Sequence, residues 1–501
     1  MKISQWMEQS GVNFGTSGAR GLVSKMTDIV CFAYTMGYLQ HLATLGEFSP
    51  QTMVAVAGDL RPSTPRIMGA CIAAIEYMGG KPLFCGFVPS PALCHYAFSL
   101  KIPSLMVTGS HIPADRNGIK FNRAQGEFLK NDEAAMRAQD VKLPREMFDA
   151  DGMLIKSVAF PPITDVLPDF IARYRNFFGP DALSGFCLGI YQHSAVGRDV
   201  LVDIVESLGA EAIPLARSKS FVAVDTEAVR PEDVALARKW AEPRKFDAIL
   251  TTDGDSDRPL LADRDGNWLR GDVLGILASR FLKAASVTTP VSSNTALEKA
   301  GFSQHMQRTR IGSPFVISGM MKAIEAGMTP AVGYEANGGF LLGSDVTSEE
   351  RTLSALPTRD SVLPMICALV AAKREKEGLS GLVNDLPRRF TQSDRLTEMP
   401  TEKSLNHIDL LRKNPSENVE NLGFSEICGS LSHIDETDGL RMTFQNDDIV
   451  HLRPSGNAPE LRIYVETDRP DRTETLLQLG LHILAKWKEP LPENQLQNSH
   501  K

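Results

Sequence analysis

The chain has 501 residues, of which 43% are hydrophobic and 23% charged, and a formal net charge of -8. This is the composition of an ordinary globular protein and excludes a disordered one. Its acidic balance argues against a general nucleic-acid binder, and its length predicts three or four domains.

No apolar run approaches the roughly 18–20 residues of a membrane span, and the opening MKISQWMEQS lacks the apolar stretch of a signal peptide. Seven cysteines stand without CxxC pairs or metal-ligand spacing. Free or buried thiols in a cytoplasmic protein are therefore expected.

Near the N-terminus, FGTSGARG (14–21) places Arg20 in a Gly-rich segment. MVAVAGD (53–59) predicts a strand, and a helix follows from about Ser63 to Tyr77, ended by Gly79 and Gly80. Asp59 and Arg61 lie just before that helix in GDLRPSTP, where a structural role suffices to explain them. KPLFCGFV reads as a strand, SPALCHYAF as a short helix, SLMVTGS as a strand and GIKF as the start of another. Such alternation predicts right-handed crossovers and a mostly parallel sheet.

The same order returns in GFCLGIYQ (185–192), GRDVLVDIVESLG (197–209) and AEAIPLA, with FDAILTTDGDSDR adding a strand that ends in a loop. It returns again in TTPVSSN, HMQRTRIG, PFVISGMMKAIEAG and TPAVGYEANGG, closed by one long helix, RDSVLPMICALVAAKREKEG. Three α/β units of similar plan are expected, without a letter-by-letter repeat. From about residue 384 consecutive strands and a closing helix, RTETLLQLGLHILAKWKE, predict an α+β domain. Linkers are expected near 155–167 and 378–390. The expected boundaries are 1–160, 161–272, 273–380 and 384–490, followed by a polar tail, 491–501.

Four loops carry chemistry-bearing residues. VTGSHIPADRNGIKF (107–121) sets Ser110, His111 and Lys120 at a strand end, but no GxSxG elbow surrounds the serine. TTDGDSDRPL alternates Asp253, Asp255 and Asp257 with small residues, so an extended backbone points the three carboxylates one way. Converging anions call for a hard divalent cation. A calcium EF-hand fails at its sixth and twelfth positions, Arg258 and Arg264, whereas an open site suits Mg²⁺ with a phosphate completing its shell.

GYEANGG offers Glu335 and Asn337, groups suited to sugar hydroxyls, although a plain polar loop has the same composition. In RPSGNAPELR (453–462), Arg453 supplies a fork of donors, Ser455 a hydroxyl, and Gly456 with Asn457 a bend that can form an anion nest. A hairpin turn would use the same residues. Taken together, a phosphate of roughly two negative charges on Ser110 would supply the oxygens that the Asp loop lacks. Lys120 could then balance charge or move a proton, and the set reads as phosphoryl transfer through a phosphoserine.

With these loops in this order, the chain resembles the α-D-phosphohexomutase family over nearly its whole length. TGSHIPADRNGIKF resembles the phosphoserine loop, DGDSDR the metal loop, YEANGG the sugar-recognition loop and RPSGNAPELR the phosphate-binding loop. FGTSGARG resembles the family's N-terminal segment, and TRIGSPFV (309–316), with Arg310 and Gly312, the substrate strand of domain three. The resemblance implies three α/β domains and a smaller α+β domain around one cleft, the last closing to exclude water.

It also implies that Ser110 carries the phosphate and that Asp253, Asp255 and Asp257 ligate one Mg²⁺ with a phosphoserine oxygen. Lys120 is the implied acid/base, assisted by His111 and Arg20. Arg258, Arg310, Gly312, Glu335 and Asn337 are implied substrate contacts, and Arg453, Ser455, Gly456, Asn457 and Arg462 belong to the loop holding the non-reacting phosphate. The implied reaction interconverts hexose 6-phosphate and hexose 1-phosphate through a 1,6-bisphosphate, which also serves as activator.

Mannose is the expected sugar, for sugar-nucleotide synthesis, with glucose and glucosamine as alternatives. No nucleic-acid or membrane partner is expected, and a monomer or weak homodimer is. Departures from the family pattern fall at Ile112 (usually Asn), Ser256 (commonly Gly), Gly339 (often His) and SGNAP in place of SGTEP; Arg310 stands where many members have Lys. A catalytically silent sugar-phosphate binder is the alternative of a different class. The retained Ser110, Asp triplet and Lys120 count against it.

Overall fold

Residues 28–44, DIVCFAYTMGYLQHLAT, are apolar on every side and carry no turn signal; they form the helix Asp28–Thr44, buried over most of its length. A helix without a polar face belongs inside a domain, and this one packs into a core with the helix Thr64–Tyr77 and the strands beside it. The structure, a computed structural model, describes residues 1–15, 18–455 and 459–488.

The chain divides into two compact units. The first comprises 1–289, 302–307 and 312–383, and the second 290–301, 308–311 and the chain from 384 onward. Three mixed sheets with flanking helices account for the α/β part, as the alternating pattern predicts. Each repeats one strand order: fourth, third, first, second. In the first sheet these are Arg116–Arg123, Ser104–Val107, Met53–Gly58 and Lys81–Phe87. In the second they are Pro259–Ala262, Ala248–Thr252, Cys187–His193 and Glu211–Arg217. In the third they are Phe340–Leu342, Ala331–Tyr334, Ser286–Pro290 and His305–Thr309.

The expected mostly parallel sheet is corrected in one respect. In every case the third strand pairs in parallel with the first, but the fourth runs antiparallel to the third. The connections at 108–115, 253–258 and 335–339 are too short for a crossover, which needs about a dozen residues, so the chain must turn straight back. Ser110, the Asp triplet and Glu335 with Asn337 all lie in these returns. The hidden repeat therefore places the three candidate loops at equivalent points of three sheets.

The predicted long helix over 359–378 is shorter. It spans Val362–Ala372, almost wholly buried, and a separate helix, Leu379–Asn384, falls within the expected linker. The charged run Lys373–Glu377 has no apolar face to bury, so the helix stops where its burial stops.

The second unit holds an antiparallel sheet ordered Phe390–Leu396, Leu461–Thr467, Ile449–Pro454, Leu440–Phe444, Leu431–Asp435. The closing helix Pro470–Lys486 packs on it, and the helix Thr401–Lys413 shares its core. The tail 491–501 lies outside the described residues. No helix among the described residues is long and apolar enough to cross a membrane.

Candidate active site

Ser110 stands just past the strand Ser104–Val107 with φ +55°, in the left-handed region that a serine seldom occupies. The surrounding bonds hold it there. Its N–H donates to Thr108 Oγ1 (2.7 Å), and its hydroxyl donates to Asp253 Oδ2 (2.5 Å). Its carbonyl accepts from Arg61 Nη2 at 2.8 Å.

The same guanidinium, wholly buried, also donates to the carbonyls of Ile112 (2.5 Å), Pro113 (2.7 Å) and Arg116 (3.0 Å). Asp59 anchors it through Nε at 3.1 Å and accepts from Thr108 and Thr64. Arg61 thus holds the whole serine loop by its backbone. GDLRPSTP carried that residue in plain view, but nothing local shows what an arginine will reach across 49 to 55 positions.

The acidic loop packs directly against Ser110. A Cβ on Gly254 would lie 2.6 Å from the Ser110 carbonyl oxygen, so only glycine permits this approach. Ser256 has φ +58°, a backbone conformation that favours glycine. Its hydroxyl offsets the strain by accepting from Gly197 N (2.9 Å) and Thr252 Oγ1 (2.8 Å).

Asp253, Asp255 and Asp257 are all buried and each brings a carboxylate oxygen within 4.8 Å of the others, so together they can hold a metal ion. Asp255 Oδ1 and Asp257 Oδ1 are buried without a hydrogen-bond partner, and a cation would satisfy both. Their Oδ2 atoms are taken by Lys120 Nζ, at 2.6 Å and 2.5 Å. Burial works against the Lys120 ammonium, but Asp255 and Asp257 outweigh it and hold its pKa above the usual lysine value. The converse holds for Asp255: burial opposes its charge, yet Lys120 and the hydroxyl of Ser90 pull it well below the carboxylate range. Asp253 is pushed up by burial and by the two neighbouring carboxylates.

His111 accepts at Nδ1 from Arg258 Nη1 (3.0 Å), 3.4 Å from Ser110 Oγ. Burial, then the charges of Arg258 and Arg20, hold its pKa far below the ordinary histidine value, so the imidazole is neutral. Arg20 itself is pushed down to about 10, by burial and then by Arg258.

Glu335 is buried and accepts from Arg359 Nε at 2.6 Å, while Arg359 Nη1 lies 3.7 Å from Asp257. Arg359, in LPTRD, was not among the expected site residues, and it joins the sugar loop to the acidic loop. A Cβ on Gly339 would meet Arg359 Cδ at 2.6 Å, so this arginine fills space that a larger residue at 339 would need. Asn337 Oδ1 accepts from Gly339 N (2.9 Å) and shapes its own turn. Gly312, at φ +132°, begins the helix Ser313–Glu325.

In the second unit, Arg453 Nε donates to Asp438 Oδ2 (2.9 Å), which also accepts from Ile311 N (2.9 Å). Arg310 Nε donates to the neighbouring Thr437 carbonyl at 3.1 Å. Asp438 organises this loop and has no motif to announce it. Ser455 N donates to Glu460 O (2.8 Å), and the Arg462 guanidinium lies 3.9 Å from the Glu460 carboxylate. Gly456 and Asn457 lie outside the described residues.

Three family models match the chain: Phosphoglucomutase/phosphomannomutase, alpha/beta/alpha domain I over residues 11–141, domain II over 169–266 and domain III over 270–390. The phosphomannomutase of Salmonella muenchen is 44% identical over 462 residues, covering 92% of this chain and 93% of the relative. That of Sinorhizobium fredii (strain NBRC 101917 / NGR234) is 42% identical over 475 residues, covering 95% and 99%. Among solved structures, a phosphoglucomutase/phosphomannomutase family protein from Burkholderia thailandensis shares the fold with a TM-score of 0.71. It is 17% identical, and the match covers 95% of this chain and 98% of that one.

The Arg61 network makes a stability prediction. Arg61→Ala leaves Asp59 buried without its cation, and removing one partner of such a pair typically costs about 3–5 kcal/mol. The denaturation midpoint should fall accordingly, and the double variant Asp59→Ala/Arg61→Ala should recover part of the loss through the coupling of the pair. Equal stability of Arg61→Ala and the unsubstituted chain would contradict the assignment.

Proposed function

The chain belongs to the phosphoglucomutase/phosphomannomutase family, is a phosphosugar mutase, and we propose that it interconverts mannose 6-phosphate and mannose 1-phosphate with Ser110 as phosphate carrier. The observation that carries this reading is the 44% and 42% identity to phosphomannomutases over more than nine-tenths of the chain. The juxtaposition of Ser110 with the acidic triplet supports it.

In the first half-reaction the bond from phosphorus to Ser110 Oγ breaks as the bond to a sugar hydroxyl oxygen forms, and that hydroxyl's proton ends on Ser110 Oγ; in the second the bond from phosphorus to the other sugar oxygen breaks as the bond to Ser110 Oγ forms again, and the serine's proton ends on the freed sugar oxygen. The resulting 1,6-bisphosphate turns end for end, and its other phosphate returns to the serine. Asp253, Asp255 and Asp257, with an oxygen of the phosphoserine, would hold Mg²⁺, which supplies electrostatic stabilisation of the transferring phosphoryl group. A 1,6-bisphosphate, of glucose or mannose, would serve as activator.

Lys120 enters as an ammonium, since its paired carboxylates keep it protonated. That suits a charge-balancing proton donor better than a base. The neutral His111 lies beside Ser110 Oγ and accepts from Arg258, which supplies cationic donors to the phosphate. Arg20 adds a further cation. Glu335 and Asn337 read the sugar, while Arg453, Ser455, Gly456 and Asn457 hold the phosphate common to all substrates, aided by Arg310, Gly312 and Arg462.

Ser110→Ala should lose most turnover with its fold intact; full activity of that variant without added bisphosphate would refute the carrier role. Activity should also vanish in excess chelator and return with Mg²⁺.

Reaction and recognition separate in a second pair of variants. Arg453→Ala removes charge-assisted bonds of about 1.5–3 kcal/mol, which predicts a loss of roughly 10–150-fold in kcat/KM for mannose and glucose phosphates alike. Asn337→Ala should instead change the ratio between the two sugars. The reverse pattern would mean that the two loops have exchanged roles.

A further inference from the structure

Ser90 is the first residue of the helix Ser90–Ser99, which belongs to the first sheet's layer, and it reaches across to the acidic loop of the second. Its Oγ donates to Asp255 Oδ2 at 2.6 Å, and its backbone N–H donates to the Asp255 carbonyl at 2.9 Å. Ser90 is buried, so water does not compete for either bond. Asp255 Oδ2 also takes Lys120 Nζ at 2.6 Å, leaving Oδ1 buried with no hydrogen-bond partner. One oxygen of this carboxylate is therefore doubly engaged by the protein, and the other is reserved.

We propose that Ser90 is a positioning residue for the metal loop, fixing Asp255 through one oxygen so that the other is presented as the metal ligand. The inference rests on the reading of the Asp triplet as a metal site and adds a residue that no motif in the chain marks. The physical reasoning is general. A carboxylate free to rotate must be ordered when a cation binds, whereas that of Asp255, held by the Ser90 hydroxyl while the Ser90 N–H holds the residue's backbone carbonyl, has met that cost in folding. Of the two bonds from Ser90, only the hydroxyl's can be removed by substitution. Its contribution is therefore separable from that of the helix backbone.

The test is direct metal binding by the full-length chain after removal of divalent ions, with Mn²⁺ as probe and free Mn²⁺ read by electron paramagnetic resonance. Loss of an outer hydrogen bond to a metal ligand typically weakens affinity about 10–100-fold. Ser90→Ala should show a loss of that size, while Ser90→Thr, which keeps the hydroxyl, should stay near the unsubstituted chain. Ser90→Cys, nearly isosteric but a poor donor, should behave like Ser90→Ala and repeats the test without opening a cavity. Unchanged Mn²⁺ affinity in Ser90→Ala and Ser90→Cys would overturn the proposal. So would an equal loss in all three variants, which would assign Ser90 to packing alone. If the unsubstituted chain bound no Mn²⁺, the metal reading itself would fall, an outcome distinct from either of these.

Discussion

Three carboxylates buried within one short loop cannot remain ionised unless their charge is met nearby, and the rest of the site follows from that constraint. Lys120 pairs with Asp255 and Asp257, Arg258 lies beside Asp257 and Arg359 pairs with Glu335, with Arg20 close by, while Asp253, pushed up by burial and its two neighbours, accepts from the Ser110 hydroxyl. A divalent cation and a phosphoserine of roughly two negative charges would leave the net charge of this set unchanged when added together, whereas either alone would shift it. Such a balance would couple metal and phosphate in a single electrostatic unit. Arg258 comes from the acidic loop itself, whereas Arg20, Lys120 and Arg359 come from the strands Ala19–Leu22, Arg116–Arg123 and Leu356–Asp360.

The repeated strand order supplies the means. Three sheets each return sharply from their third to their fourth strand, and those returns offer Ser110, the Asp triplet and Glu335 with Asn337. A tight return exposes side chains at a strand end while the sheet fixes its base, so each loop is short and anchored at both sides. The site also requires loops to pack on one another. Gly254 admits the Ser110 carbonyl, Arg61 holds the serine loop by its carbonyls, and Ser90 holds the acidic loop from the neighbouring layer. Ser110 and Ser256 both sit at positive φ, and both are held there by hydrogen bonds of their own side chains and backbone.

The departures from the family pattern acquire physical content in the same way. Ser256 tolerates a backbone that favours glycine because its hydroxyl is bonded twice. Gly339 leaves the space into which Arg359 packs, and Arg359 in turn pairs with Glu335. A missing side chain at one position and an arginine twenty residues later are thus parts of one arrangement.

By itself the sequence determined the alternation of strand and helix, the change of grammar near residue 384, and the residue types and order of the four loops. These are local properties: a turn, a period of apolar residues or a triplet of aspartates is written within a few positions. It did not reveal the buried helix at 28–44, whose apolar residues follow no period, nor the antiparallel fourth strands, which depend on loop length against crossover geometry. Only the tertiary structure decided which charges meet. Lys120 pairs with Asp257 across 137 positions, Ser90 with Asp255 across 165, and Arg61 with the serine loop across about fifty. The reason is that a buried charge is neutralised by whatever the sheets bring beside it, and that neighbour is set by packing, not by distance along the chain.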